Sequence, residues 1–399
     1  VRTTRRALPA ALAAGALLLA GCGGDGPPST AAAPPAERCI GDFDPAADYV
    51  PDTGGVQDAE GFTLSDERSY QVLTVEQPYP GGSPESYVLV RCGAPDPELT
   101  GDLADAPRIE VPVRSLYSAS TTHLPMLEEV GALGVLTGVA DGGLVTSPAV
   151  NERLEAGTTT AYAAGGTVDT ESVVAADPDV LVTGGYDDAA YPVLREAGVP
   201  VLADSEWLEP TPLGRAEWVK VFGALTGRQE EAAQAYERVK DAYEGTRALA
   251  EGAEPVEVLP GSTYEGTWYV PGGGSYLSRL LADAGGTTAW ADDPSTGSLP
   301  VPLEEVVAEA GDAPVWLVTD DWATTADALA ADPRYAELAA LRDGGLWTSA
   351  KVVGPGGGSD FYERGVARPD LVLADLVHVL HPELLPEHGT TFYRPVPQG

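Results

Sequence analysis

The chain has 399 residues, with 23 Lys and Arg against 61 Asp and Glu, which gives a formal net charge of -38 at pH 7. A surface of that sign repels phosphate everywhere and excludes nucleic-acid binding through a basic face. Hydrophobic residues make up 43% of the chain, too many for a disordered acidic tail, so one large domain or two ordinary ones are expected.

Arg2, Arg5 and Arg6 form a basic start, residues 10–20 are apolar, and Leu19-Ala20-Gly21-Cys22 closes the segment. This resembles a bacterial lipoprotein signal, in which residues 1–21 are removed and Cys22 is acylated to become the first residue of the mature chain. The paired Arg5 and Arg6 fit a twin-arginine signal as well as the general secretory one, and both routes stay open. Beyond this segment no apolar run reaches the roughly 18 residues needed to span a bilayer, so membrane contact is expected through the lipid alone. Residues 22–36, rich in Gly, Pro, Ser, Thr and Ala, read as a flexible tether. Only Cys39 and Cys92 then remain, and in an exported chain two cysteines are most economically read as one disulfide pinning a weakly packed N-terminal extension.

From residue 39 to about 109 the text is strand-like. Tyr70-Gln71-Val72-Leu73-Thr74-Val75 and Tyr87-Val88-Leu89-Val90 flank the hairpin signal Pro80-Gly81-Gly82-Ser83-Pro84. Alternation of strand and helix follows. Strands are expected at 111–117, 133–139, 180–183 and 199–202, with a helix opening at Pro125 and ending at Gly131. Residues 213–251 lack Pro and space Trp218, Phe222, Leu225, Ala232, Tyr236, Val239 and Tyr243 by threes and fours, predicting one long amphipathic helix, or two with a break near Gly227. A second α/β stretch has strands at 256–259 and 315–319 and a helix at 276–284.

The two halves echo each other. Val168-Asp169-Thr170-Glu171-Ser172-Val173-Val174-Ala175 and Val301-Pro302-Leu303-Glu304-Glu305-Val306-Val307-Ala308 each place a Glu in the first turn of a helix that feeds a buried strand. First-turn glutamates serve the helix dipole anywhere, but two at matching points suggest equivalent surfaces.

Ser120-Thr121-Thr122-His123-Leu124-Pro125, the segment from Glu171 through Pro178-Asp179, Glu209-Pro210-Thr211-Pro212-Leu213-Gly214-Arg215-Ala216-Glu217-Trp218, and Arg368-Pro369-Asp370-Leu371-Val372-Leu373-Ala374-Asp375-Leu376 together resemble the substrate-binding lipoproteins of ABC importers for ferric siderophores, haem and vitamin B12. The likeness covers roughly residues 65–395. It implies an α/β fold of two Rossmann-like lobes joined by a single long helix, here with a strand-rich N-terminal extension outside the family's minimal fold. The domains then read 1–21 signal, 22–36 tether, 37–212 N-terminal lobe with its extension, 213–251 connecting helix and 252–399 C-terminal lobe. It also implies that an exposed Glu on each lobe, Glu171 and Glu304, docks onto arginines of an ABC permease, and a monomeric receptor is expected. A continuous helix over about 213–251 without internal Pro has no hinge, so closure on the ligand is expected to be small.

No Gly-x-Ser-x-Gly elbow, His-Glu-x-x-His or Walker A sequence is present, which argues against an enzyme. Pro271-Gly272-Gly273-Gly274-Ser275 recurs as Pro355-Gly356-Gly357-Gly358-Ser359, either as anion cradles or as mobile loops at a cleft rim. His378, His381 and His388 cluster near the C-terminus, where capping and core roles suffice, and no metal site is expected. In open α/β sheets ligands sit beyond the carboxyl ends of the strands, where Thr121, Thr122, His123, Trp207, Tyr264, Trp268, Tyr269, Trp322 and Tyr362 are expected to gather, with a structural hydrogen bond the equal alternative for His123 and a core position the equal alternative for any single aromatic. So many aromatics suit a bulky metal chelate or macrocycle. Arg215 and Lys351 are candidates for its acidic groups and equally for surface or capping roles. The expected function is capture of an iron-siderophore chelate for an ABC permease without a bound cofactor, with cobalamin or haem as the alternative ligand and a secreted enzyme as the alternative class.

Overall fold

A computed structural model describes residues 38–399. The signal, the tether and Cys22 lie outside the described residues. The chain opens with a four-stranded sheet of β1 (Phe62–Asp66), β2 (Tyr70–Val75), β3 (Glu85–Arg91) and β4 (Arg108–Val111), antiparallel except for the parallel β3–β4 pair. The period of two is plain in β2, which buries Gln71, Leu73 and Val75 and leaves the alternate residues half-exposed. Cys39 and Cys92 are disulfide-bonded. The expectation of a weakly packed extension is corrected. Phe62, Leu73, Val75, Tyr87, Leu89 and Ile109 enter the same core as the first lobe, with Phe62 4.8 Å from the Trp218 ring.

The first lobe carries β5 (Leu116–Ser118), β6 (Leu136–Val139), β7 (Thr160–Ala161), β8 (Val180–Val182) and β9 (Val201–Leu202) in the order β7-β6-β5-β8-β9, all parallel. The single strand expected at 111–117 is two strands, because Pro112 has no N–H to carry a ladder onward. Its helices are α1 (His123–Glu129), α2 (Pro148–Glu155), α3 (Thr170–Ala176) and α4 (Ala190–Glu196).

The helix expected over 213–251 is three: α5 (Pro212–Glu217), α6 (Val219–Thr226) and α7 (Gln229–Ala250). Thr211 caps α5 through the Gly214 N–H, and a tight turn at Trp218 separates α5 from α6. Gly227 ends α6 in the left-handed region at φ 69°, which glycine reaches without steric cost. The α7 helix runs from one lobe into the other: Tyr236 and Val239 sit in the first-lobe core, Tyr243 and Ala250 in the second, and α5 and α12 also feed both cores, with Ala216, Val366 and Ala367 in the first and Leu213 and Phe361 in the second.

In the second lobe, β10 (Val256–Pro260) opens a sheet and β11 (Thr263–Tyr264) and β12 (Thr267–Pro271) form a hairpin. There follow β13 (Gly286–Thr287), β14 (Ser298–Val301), β15 (Val315–Val318), β16 (Leu346–Thr348) and β17 (Arg394–Pro395). The main sheet runs β13-β10-β15-β16-β17, parallel except for β17, and β11-β12-β14 make a small antiparallel sheet. Alternation along β15 sends Val315 and Leu317 into one core and Trp316 and Val318 into the other. Helices α8 (Tyr276–Asp283), α9 (Leu303–Ala310), α10 (Thr325–Ala331), α11 (Ala339–Asp343), α12 (Asp360–Ala367) and α13 (Pro369–Leu380) complete it.

Both Gly-rich loops pack closely against neighbouring backbone. The second presses on the first lobe: Gly356 N–H donates to the Gly143 carbonyl at 2.7 Å, a Cβ at Gly356 would lie 2.7 Å from that oxygen, and one at Gly358 would collide with the Leu144 carbonyl. The buried Glu363 then accepts from the Thr146 and Ser147 N–H groups, both at 2.8 Å. The first loop packs as closely on residues 291–295.

Candidate functional site

Strand order reverses at β5 and β8 in the first lobe, so the loops leaving their carboxyl ends splay apart and open a crevice. These loops supply Ser120, Thr122, Gly184 and Tyr186, and the segment after β9 supplies Glu206 and Trp207. Opposite them stand Ser275, Tyr276 and Leu277 at the start of α8, residues 296–298 and Tyr362. The space between the lobes has a volume of about 520 Å3.

Its first-lobe wall is an aromatic plate. Tyr186, 63% exposed, stacks on Trp207 with ring centroids 5.3 Å apart and planes 21° apart. Gly185 makes this possible, because its φ is +75° and a Cβ there would lie 2.5 Å from the Trp207 indole nitrogen. At the floor, Arg215 donates from Nε and Nη2 to Glu206 Oε2 at 2.8 and 2.6 Å, and its guanidinium lies 4.2 Å from the centre of the Tyr276 ring. Burial opposes the charge on Arg215, but the Glu206 carboxylate beside it holds the guanidinium above its ordinary value. The floor is thus a neutral pair carrying an aromatic face. Glu209 is occupied by the Gly61 and Glu60 N–H groups and by the Trp218 indole N–H.

Of the residues expected here, Thr122, Trp207, Arg215 and Tyr362 line this cleft. Tyr264 and Tyr269 line an adjoining crevice of about 250 Å3 in the second lobe, shared with Tyr362. Thr121 lines a separate cavity of about 150 Å3 at the ends of β5 and β6. Three placements are corrected. His123 is 1% exposed, its Nδ1 bonded to Ser118 Oγ at 2.8 Å and its Nε2 3.6 Å from Asp204, because the first turn of α1 turns its ring inward against Phe222. Burial pushes the imidazole down to about 3, and burial with the nearby Glu206 pushes the Asp204 carboxyl well above its usual range. Trp268 is wholly buried against Trp316, and Trp322 packs edge-on to the same ring, since strand alternation in β12 points Trp268 into the core and Tyr269 out. Lys351 is tied to Thr390. Sequence reasoning missed Tyr186, Glu206 and Tyr276. Tyr186 had a signal, since it follows Thr183-Gly184-Gly185 at a strand end, whereas the Glu206–Arg215 pair is visible only in three dimensions.

Glu171 and Glu304 each occupy the first turn of their helices, α3 and α9. Both are exposed, and Glu304 is 2.9 Å from Arg334. His388 bonds Asp375, His378 the Leu385 carbonyl and His381 the Gly285 carbonyl. Among the described residues no group of three or more His, Cys, Asp or Glu is placed to hold a metal ion, and no helix is long and apolar enough to cross a membrane.

Two α/β lobes around an aromatic cleft define a solute-binding protein. The chain belongs to the periplasmic binding protein family, whose model matches residues 115–349. It is similar to an uncharacterized lipoprotein of Methanocaldococcus jannaschii, MJ0878, at 26% identity over 294 residues, 71% of this chain and 69% of that one. A second uncharacterized lipoprotein of that organism, MJ0872, is 25% identical over 315 residues, 75% of this chain and 76% of the relative. Among solved structures, a periplasmic haem-binding protein from Pseudomonas aeruginosa shares the fold at TM-score 0.54 and 20% identity, covering 72% of this chain and all 100% of that one. A possible iron-binding periplasmic solute-binding protein from Staphylococcus epidermidis does so at TM-score 0.53 and 15% identity, covering 68% and 99%. The family is one of binding proteins, not enzymes.

Proposed function

We propose that this chain is an extracytoplasmic receptor, anchored to the membrane by a lipid on Cys22, that captures an iron-siderophore chelate between its lobes and delivers it to an ABC permease. The observation that carries this reading is the cleft: about 520 Å3, walled by the Tyr186–Trp207 stack on one side and by Tyr276 and Tyr362 on the other. Flat aromatic walls suit a bulky ligand with partly apolar faces. The charge of the site narrows the class. Arg215 is spent on Glu206, and the whole chain carries -38, so an uncharged or cationic chelate such as a ferric trihydroxamate is favoured over a trianionic catecholate. The lipoprotein relatives support the anchor.

Trp207 makes the reading testable by tryptophan fluorescence. A ferric trihydroxamate is expected to change the emission and saturate at one equivalent, while free ferric ion and the metal-free hydroxamate do not, and Trp207→Ala weakens binding at least tenfold. Saturation by cobalamin or haem in place of the ferric chelate would assign the alternative ligand. Tight binding of a trianionic ferric catecholate would overturn the charge argument.

A further inference from the structure

The second lobe has a crevice of its own. Strand order reverses at β10 and β15, and the loops leaving β10, β15 and β16 enclose about 250 Å3 beside the main cleft, continuous with it through Pro271, Leu277, Ser298 and Tyr362. We infer that this crevice is a distinct subsite that receives an uncharged aromatic arm of the ligand, a phenyl or phenol group, while the metal-bearing part stays between the lobes. The inference rests on the chelate reading above and adds to it the shape of the ligand.

Three observations carry it. First, the apolar walls are Leu281, Leu317, Val318, Phe361 and Tyr393, the polar side chains beside them are the hydroxyls of Ser262, Ser298, Thr319 and Ser349, and among the described residues lining the crevice there is no Asp, Glu, Lys, Arg or His. A charged metal centre would be stripped of water there with nothing to compensate it, whereas an aryl group would not. Second, the size fits: an apolar cavity of roughly 150 Å3 holds benzene, so 250 Å3 accepts a ring with a substituent. Third, Ser349, at the end of β16, is 2% exposed, lines the crevice and has a buried hydroxyl with no hydrogen-bond partner. Buried polar groups in folded proteins are almost always paired, so this hydroxyl marks where a partner on the ligand arrives. The exposed Tyr264 and Tyr269 line the same space and give an incoming ring a face to stack on.

The experiment uses the folded chain with 4-methylphenol and toluene as probes, followed by calorimetry and saturation-transfer NMR. Both are expected to bind saturably, the phenol about three- to tenfold tighter because its hydroxyl meets Ser349. Ser349→Ala should abolish that preference and leave toluene binding unchanged, and Ser349→Leu, which grows into the crevice, should remove both. If Ser349→Leu does not fold, Ser349→Ala alone decides. A ferric trihydroxamate carrying a phenyl arm should bind at least tenfold tighter than its aliphatic counterpart, and Ser349→Leu should erase the gain. Absence of saturable phenol binding, or binding indifferent to both substitutions, overturns the subsite while the ferric titration still stands. Phenol binding with no ferric chelate bound overturns the chelate reading and leaves an aromatic subsite with no arm to assign.

Discussion

Glu217 is wholly buried, yet its carboxylate is fully engaged. It accepts from the Gln57 N–H at 2.8 Å, from Asp58 at 2.6 Å and from Ala59 at 2.8 Å, and pairs with Lys220 at 2.6 Å. One side chain of α5 thereby holds the segment that leads into β1. Removing the carboxylate leaves the three amides unpaired and takes the counter-charge from the buried ammonium, which keeps only the Gly55 carbonyl at 2.6 Å and the face of the Tyr236 ring. Glu217→Ala is therefore expected to cost about 3–5 kcal/mol in urea unfolding, with new proteolytic cleavage near residues 52–60. His123 offers a pH test. An unfolded imidazole takes up a proton near 6.5 but the folded one only near 3, so between those values the unfolded state binds one proton more. Stability must then fall as pH drops through that window, by roughly 1.4 kcal/mol per pH unit once developed. Asp204 acts in the opposite sense, since its raised folded value costs stability as pH rises above the ordinary carboxylate range. Urea unfolding at pH 6.5, 5.5 and 4.5 should show wild type losing stability with acid faster than His123→Gln. Parallel losses would refute the assignment.

At the level of elements, several segments join the lobes, α5 and α12 among them. The α7 helix crosses between them, and the 354–359 loop with the start of α12 grips residues 142–147 on the other lobe. The grip depends on backbone meeting backbone, which is why the loop is glycine-rich. Gly356→Ala forces the loop off the Gly143 carbonyl and is expected to lower stability by about 1–3 kcal/mol. Hydrogen exchange at residues 142–147 should accelerate in that variant, while β1–β4 stay protected. Unchanged exchange there would mean that the grip does not hold the lobes.

For the molecule as a whole, the internal echo becomes two equivalent exposed glutamates, one per lobe, on a strongly acidic chain. If Glu171 and Glu304 serve only their helix dipoles, reversing their charge leaves transport intact. If they meet permease arginines, the reversed pairs repel, and repulsion across an interface costs several kcal/mol. Glu171→Arg with Glu304→Arg is expected to bind the ferric chelate with wild-type affinity and to fail in uptake with the cognate permease. Full uptake by the double variant rejects the docking surface.

What the sequence determined by itself is what depends on near neighbours in the chain: the strand–helix alternation, the hairpin of β2 and β3, and the first-turn placement of Glu171 and Glu304. Periodicity and turn residues act over a few positions, so they are readable in one dimension. The tertiary structure alone decided which aromatics face the ligand. Trp268 and Tyr269 are adjacent, and only the register of β12 against β14 sends one into the core and the other to the crevice. It also decided that Arg215 is spent on Glu206, that Ser349 ends in a crevice without a partner, and that a glycine loop serves as a lobe contact. Each of these depends on which distant segments meet, and local propensity carries no record of that.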